Sequence, residues 1–174
     1  MGNVYQPETW HDLYVMLGSS SAALIGLLFV VTSIHLDEIM NNPVIHFRAR
    51  SNTLHLLSML IAAILILTPQ PVFVLGIELV AIHLFGLRIP IGIIYNHYYK
   101  KKLLVAGGVS IFRSFPYFSA YLLGVAGGAA LIGKANWGMY LVTASYGILF
   151  IAIVMNAWGV MLGVGQTEAM IKKD

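Results

Sequence analysis

Long apolar runs, cut by short polar or turn-forming segments, make up most of this chain. Five runs stand out, at residues 13–34, 53–68, 72–94, 116–133 and 140–163. A bilayer core is about 30 Å thick, which an apolar helix of about 20 residues crosses. The second and fourth runs are short for that length, and adjustment at their ends brings them near it. Hydrocarbon offers no partner for backbone N–H and C=O groups, so spanning segments close their hydrogen bonds internally, as helices do. The pattern predicts an all-α integral membrane protein, a bundle of about five transmembrane helices.

The interruptions fit this division. Thr68-Pro69-Gln70-Pro71 breaks a helix and forces a tight reversal between the second and third spans. Residues 134–138, beginning at Lys134, separate the fourth and fifth spans, and Asn41-Asn42-Pro43 opens the link between the first two. Residues 103–112 suit either an interfacial segment or an early start to the fourth span. The expected organisation is an outer N-terminal segment over 1–12, a helical membrane domain over 13–165 and a cytoplasmic tail over 166–174.

Composition strengthens the membrane reading. The 174 residues are 59% hydrophobic and 10% charged, and the mean hydropathy is +0.82. A soluble domain carries about 25% charged residues. Cysteine is absent, which excludes thiolate chemistry, disulfides and c-type haem attachment. The first dozen residues carry no basic residue, so the first apolar run is expected to stay in the protein rather than be cleaved as a signal peptide.

Charge then suggests an orientation. Arg48, Arg50, Lys100, Lys101, Lys102, Arg113, Lys172 and Lys173 fall on one side of a five-span chain, and Lys134 on the other. Basic loops stay cytoplasmic, which places the N-terminus outside and the C-terminus inside, as in a bacterial inner membrane. Arg88 and Lys100–Lys102 are then expected to touch lipid at the inner interface. The formal charge of +3 is a topology signal, and with no soluble domain to present a basic patch, nucleic acid is not an expected partner.

The chemistry lies in the polar groups at depth. The third span carries Glu78, His83 and Arg88. Ionisable residues in a span usually face protein, a partner or a water-filled cavity. At 1.5 Å per residue, Glu78 is about 9 Å and His83 about 17 Å from the outer end. Three readings follow. In the first, a homo-oligomer conducts ions or protons past Glu78 and His83, with Ser19, Ser20 and Asn156 as further lining groups. In the second, the chain is a non-catalytic subunit of a larger membrane complex. In the third, histidines from different helices among His35, His55 and His83 ligate a b-type haem. Hydrolase, nucleotide and metalloprotease motifs are absent, so an enzyme is not the expected class. Gly18, Ala22 and Gly26, spaced by four, form a small-residue face for close helix contact, as do Gly124 and Gly128.

Overall fold

The computed structural model describes residues 7–95, 111–135 and 137–171. The described chain is all-helical, 92% helix without strands. Six helices follow in order: α1 (Pro7–Ile34), α2 (Leu36–Asn41), α3 (Pro43–Leu67), α4 (Val72–Tyr95), α5 (Ile111–Ile132) and α6 (Gly138–Ile171). All but α2 are long and apolar enough to cross a membrane.

Local chemistry sets the helix ends. Asn42 precedes Pro43, and its Oδ1 accepts from the Ile45 N–H at 3.3 Å. A side-chain cap followed by proline at the first helical position suits a helix start, because proline lacks an N–H that would go unpaired there. This start places α3 ten residues before the apolar run that was expected to begin at 53. The polar residues between 46 and 52 hid it. At the α3–α4 turn, the Pro71 carbonyl accepts from the N–H groups of Val74 and Leu75. At the end of α5, the Ala135 N–H reaches back to the Ala130 carbonyl at 2.8 Å and the Lys134 N–H to Leu131 at 2.9 Å. That pair of bonds closes a helix through a residue in the left-handed region, here Lys134 with φ 58°. Helix α5 begins at Ile111, so the last two residues of the 103–112 segment are helical; 103–110 lie outside the described residues. Helix α6 continues past Gly165 to Ile171.

Antiparallel packing gives the bundle two ends. The start of α1, the α3–α4 turn and the α5–α6 turn share one, called here the Lys134 end. Contacts between remote residues define it: Trp10 meets Tyr140 edge-on with ring centroids 5.1 Å apart, and Gly76 of α4 lies against Gly128 of α5. The start of α3 and the second half of α6 share the opposite, Arg48 end, where Asn156 bonds Asn52. Helix α3 touches α1, α4 and α6, while α5 touches α4 and α6. Helix α1 packs mainly on α3 and leaves most of its surface uncovered, with Met16, Leu27, Phe29, Val30 and Ile34 exposed. Such apolar exposure on the outside of a bundle is what a lipid-facing surface presents.

Glycine lets the helices of the Lys134 end approach closely. A Cβ on Gly76 would lie 2.9 Å from the Gly128 carbonyl oxygen, and one on Gly128 3.0 Å from that of Gly76. Gly127 and Gly138 repeat this between α5 and α6, at 2.9 and 2.8 Å. Contacts this short leave no room for any larger residue.

Candidate functional site

Polar side chains from α3, α4, α5 and α6 meet inside the bundle. On α3, Ser51, Asn52, His55 and Ser58 fall on one helical face. On α5, Ser114, Tyr117 and Tyr121 do the same. His55 Nδ1 lies 2.5 Å from the Tyr121 hydroxyl, and both side chains are buried. The phenol is the stronger acid of the two neutral groups, so its O–H donates to Nδ1 and the imidazole proton sits on Nε2. Tyr117 stacks on His55 with ring centroids 4.6 Å apart, and its own hydroxyl donates to the Ala152 carbonyl of α6 at 2.9 Å. One histidine thus ties α3 to α5, and through Tyr117 to α6.

His83 of α4 is held differently. Its Nδ1 lies 2.7 Å from the Leu79 carbonyl, which can only accept, so Nδ1 carries a proton. In the neutral ring Nε2 then accepts from the Ser145 hydroxyl at 3.2 Å. The ring fits a notch opposite Gly124, where any Cβ would collide with it. Tyr121 of α5 fits a matching notch at Gly86 of α4. Each helix gives up a side chain where the other inserts a ring.

Towards the Lys134 end lie further polar side chains. Tyr14 of α1 and Thr143 of α6 share a hydrogen bond of 2.9 Å. Tyr146 is buried and packs its ring 5.1 Å from that of His83. Its hydroxyl makes no hydrogen bond among the described residues. Towards the Arg48 end, the Asn156 amide donates to Asn52 Oδ1 at 2.7 Å, joining α6 to α3.

Beside this seam lies a cavity of about 430 Å³ in the Arg48 half of the bundle. His55 and Tyr117 form part of its wall, with Arg48, Ser51, Ser114 and Asn156 as further polar groups. The remaining wall is apolar. Pro90 of α4 and Pro116 of α5 both line it. A proline inside a helix removes one backbone donor and keeps its ring against the preceding turn, so neither helix presents a smooth surface here.

The expected pathway residues separate. Glu78 is half-buried near the Lys134 end, where its carboxylate accepts from Gln70 Nε2 at 2.8 Å. Gln70 also donates to the Leu65 carbonyl, so Glu78 fastens the α3–α4 turn. His83 has its partners elsewhere, on Leu79, Ser145 and the tyrosine rings. The five-residue step between the two, about 140° around the helix, sends them to different neighbours. Ser19 is exposed on α1 and Ser20 is half-buried. The buried member of that triplet is Ser21, whose hydroxyl donates to the Leu17 carbonyl of its own helix. Asn156 is in the seam.

The histidines named as haem ligands also part. His35 lies at the α1–α2 junction, 3.4 Å from Glu38. His55 and His83 both approach Tyr121, at centroid distances of 5.5 and 6.0 Å. That ring hydrogen-bonds one imidazole and meets the other edge-on, so the two do not face each other across an open gap. Among the described residues no three histidines or carboxylates converge as a metal site would need. Arg88 is exposed, with its guanidinium 5.2 Å from the Phe85 ring centroid. Lys100, Lys101 and Lys102 lie outside the described residues.

The small-residue faces divide too. Gly18 sits against Ala63 of α3, where a Cβ would come within 3.2 Å. Ala22 is exposed and Gly26 meets nothing within 4 Å. Gly124 and Gly128 are buried at the α4–α5 crossing.

Sequence reasoning missed Asn52, Tyr117, Tyr121 and Tyr146 as members of the site. A signal for them existed. Tyr117 and Tyr121 are spaced by four, and Tyr121 and Tyr146 fall well inside their spans, away from the interfaces where tyrosine is expected. No family model, curated protein or solved structure matches the chain.

Proposed function

We propose that this chain is an integral membrane protein that moves protons between its two ends, with His55 and Tyr121 as the central link. The Arg48 end faces the cytoplasm in this reading and the N-terminus lies outside, in a bacterial inner membrane. The observation that carries the reading is the position of His55. It borders a cavity and also bonds a buried hydroxyl, so one titratable ring joins the two. An imidazole accepts at one ring nitrogen and donates from the other, which lets it hand a proton on. The Tyr14–Thr143 hydrogen bond lies further towards the Lys134 end. His83 is a poor relay, because its Nδ1 proton points at a backbone carbonyl that cannot pass it on. It acts as a support for Ser145 and Tyr121. Glu78 is a turn-fastening group.

Proteoliposomes carrying a trapped pH-sensitive dye test this directly. Under a potassium gradient with valinomycin, the wild type is expected to acidify the lumen faster than protein-free vesicles. His55→Ala is expected to lower that rate at least tenfold, and Glu78→Gln to leave it unchanged. A wild-type rate equal to the protein-free rate sinks the reading, as does an unaltered rate in His55→Ala.

A second reading makes the chain a subunit that packs against other membrane helices, of its own kind or of a larger complex. It is favoured by α1, whose outer face shows Ser19, Ala22, Ala23 and Gly26 with no helix against them among the described residues. Native mass measurement in mild detergent separates a monomer from either assembly.

A further inference from the structure

Most polar groups on the cavity wall already hold protein partners. Ser51 donates to the Arg48 carbonyl at 3.1 Å, Tyr117 to the Ala152 carbonyl and Asn156 to Asn52 Oδ1, and Arg48 has an interaction of its own. Two groups differ. His55 and Ser114 line the cavity and are each 2% exposed. Tyr121 occupies His55 Nδ1, which leaves the Nε2–H without an acceptor among the described residues. The Ser114 hydroxyl likewise makes no hydrogen bond among them. A buried donor is costly to leave unpaired, so both call for an acceptor on the cavity side.

Their levels restrict what that acceptor is. His55 is the middle residue of α3. In a helix that spans the bilayer this is the centre of the hydrocarbon, where phospholipid chains carry no acceptor. Ser114, counted at 1.5 Å per residue from the Lys134 end, lies about 9 Å nearer the Arg48 end. Two hydrogen bonds of about 2.9 Å take up much of that interval and leave room between them for one ring. Ile89, Pro90 and Ile148 make the nearby wall apolar, which disfavours a charged occupant. Ile151 and Met155 line the cavity and are also exposed on the outside of the bundle, so an occupant can enter from surrounding hydrocarbon. A volume of about 430 Å³ falls in the range of small-molecule sites, which pair apolar walls with a few convergent polar groups.

We infer that this cavity binds a neutral, lipid-soluble quinone. One ring carbonyl accepts from His55 Nε2–H and the opposite carbonyl accepts from the Ser114 hydroxyl. A phospholipid chain fits the apolar wall but answers neither donor, and a ketone with one oxygen answers only one. The inference concerns binding and does not rest on proton movement: the site can hold a quinone whether or not His55 passes protons.

The test uses the full chain in nanodiscs of phosphatidylcholine, with binding of tritiated duroquinone read by scintillation proximity against empty nanodiscs. Saturable binding near one per chain is expected. Durene, the same methylated ring without oxygens, should compete at least tenfold less well than unlabelled duroquinone. His55→Phe keeps a ring and removes the donor, and is expected to weaken binding at least tenfold. Ser114→Ala should weaken it about fivefold, and Ser33→Ala, on the exposed side of α1, by less than twofold. Ile148→Trp fills the cavity and should remove binding while the thermal unfolding midpoint holds, which keeps the test decisive if His55→Phe does not fold. Equal competition by durene overturns the inference, as does non-saturable binding, or an affinity within twofold of wild type in Ser114→Ala or Ile148→Trp. Proton flux in the same preparation is a separate readout, so failure of one reading leaves the other standing.

Discussion

The two halves of the bundle are built on opposite plans. In the Lys134 half, Gly76 meets Gly128 and Gly127 meets Gly138, and backbones touch. In the Arg48 half, Pro90 and Pro116 line a cavity that opens between α3, α4, α5 and α6. Lipid gives no hydrophobic drive between helices, so close backbone packing and interhelical hydrogen bonds must hold them. The glycine half supplies the first. The seam of His55, Tyr121, Asn52 and Asn156 supplies the second, beside the cavity. The difference teaches that the tight half anchors the fold and leaves the other half free to keep a space.

Adding bulk breaks this comparison most sharply. Gly128→Leu places a side chain against the Gly76 carbonyl and Val80, both part of the α4–α5 contact. Overpacking against backbone is expected to cost about 3 kcal/mol or more, measured by SDS-induced unfolding in mixed micelles. A loss below about 1 kcal/mol would mean that the crossing relaxes and does not anchor the fold.

Next in size is Tyr121→Phe. The change keeps the ring in its Gly86 notch and leaves His55 Nδ1 buried without its donor. A loss of about 1–3 kcal/mol is expected from the unpaired nitrogen, by the same unfolding measurement. Proton flux should fall with it. Retained flux with lost stability would make the pair a brace and not a link.

Adding bulk in the other half should cost little. Ile148→Trp extends into the cavity, so stability is expected to change by less than about 1 kcal/mol, because filling a void offsets the strain of a larger ring. A loss as large as that of Gly128→Leu would erase the distinction between the halves.

The smallest effect concerns the turn that joins α5 to α6. Lys134 adopts φ 58° although Gly133 precedes it. Glycine enters that region without a Cβ penalty. Lys134→Gly is expected to raise stability by about 0.5 kcal/mol, seen as a small upward shift in the thermal midpoint. A decrease would show that the side chain contributes more than the backbone conformation costs.

Much of this protein is determined by sequence alone. Apolar length and the proline breaks at 69 and 71 fix the five membrane-length helices and the turn between α3 and α4, though not the short α2, because hydrocarbon tolerates no unpaired backbone. The sequence also shows that polar groups lie inside the spans. It does not show which of them meet. Glu78 and His83 share a helix five residues apart, and only the packing of α3, α5 and α6 about α4 sends one to Gln70 and the other to Ser145. Gly18, Ala22 and Gly26 look like one continuous contact face, yet α1 crosses α3 so that Gly18 is covered and Gly26 is open. Tyr121 reads as an ordinary aromatic in an apolar run. Its role appears only when α3 brings His55 to its hydroxyl and α4 offers Gly86 for its ring. Helix existence follows from solvation along one dimension of the chain, whereas the site depends on helix rotation and crossing, which are set by contacts between residues as far apart as Asn52 and Asn156.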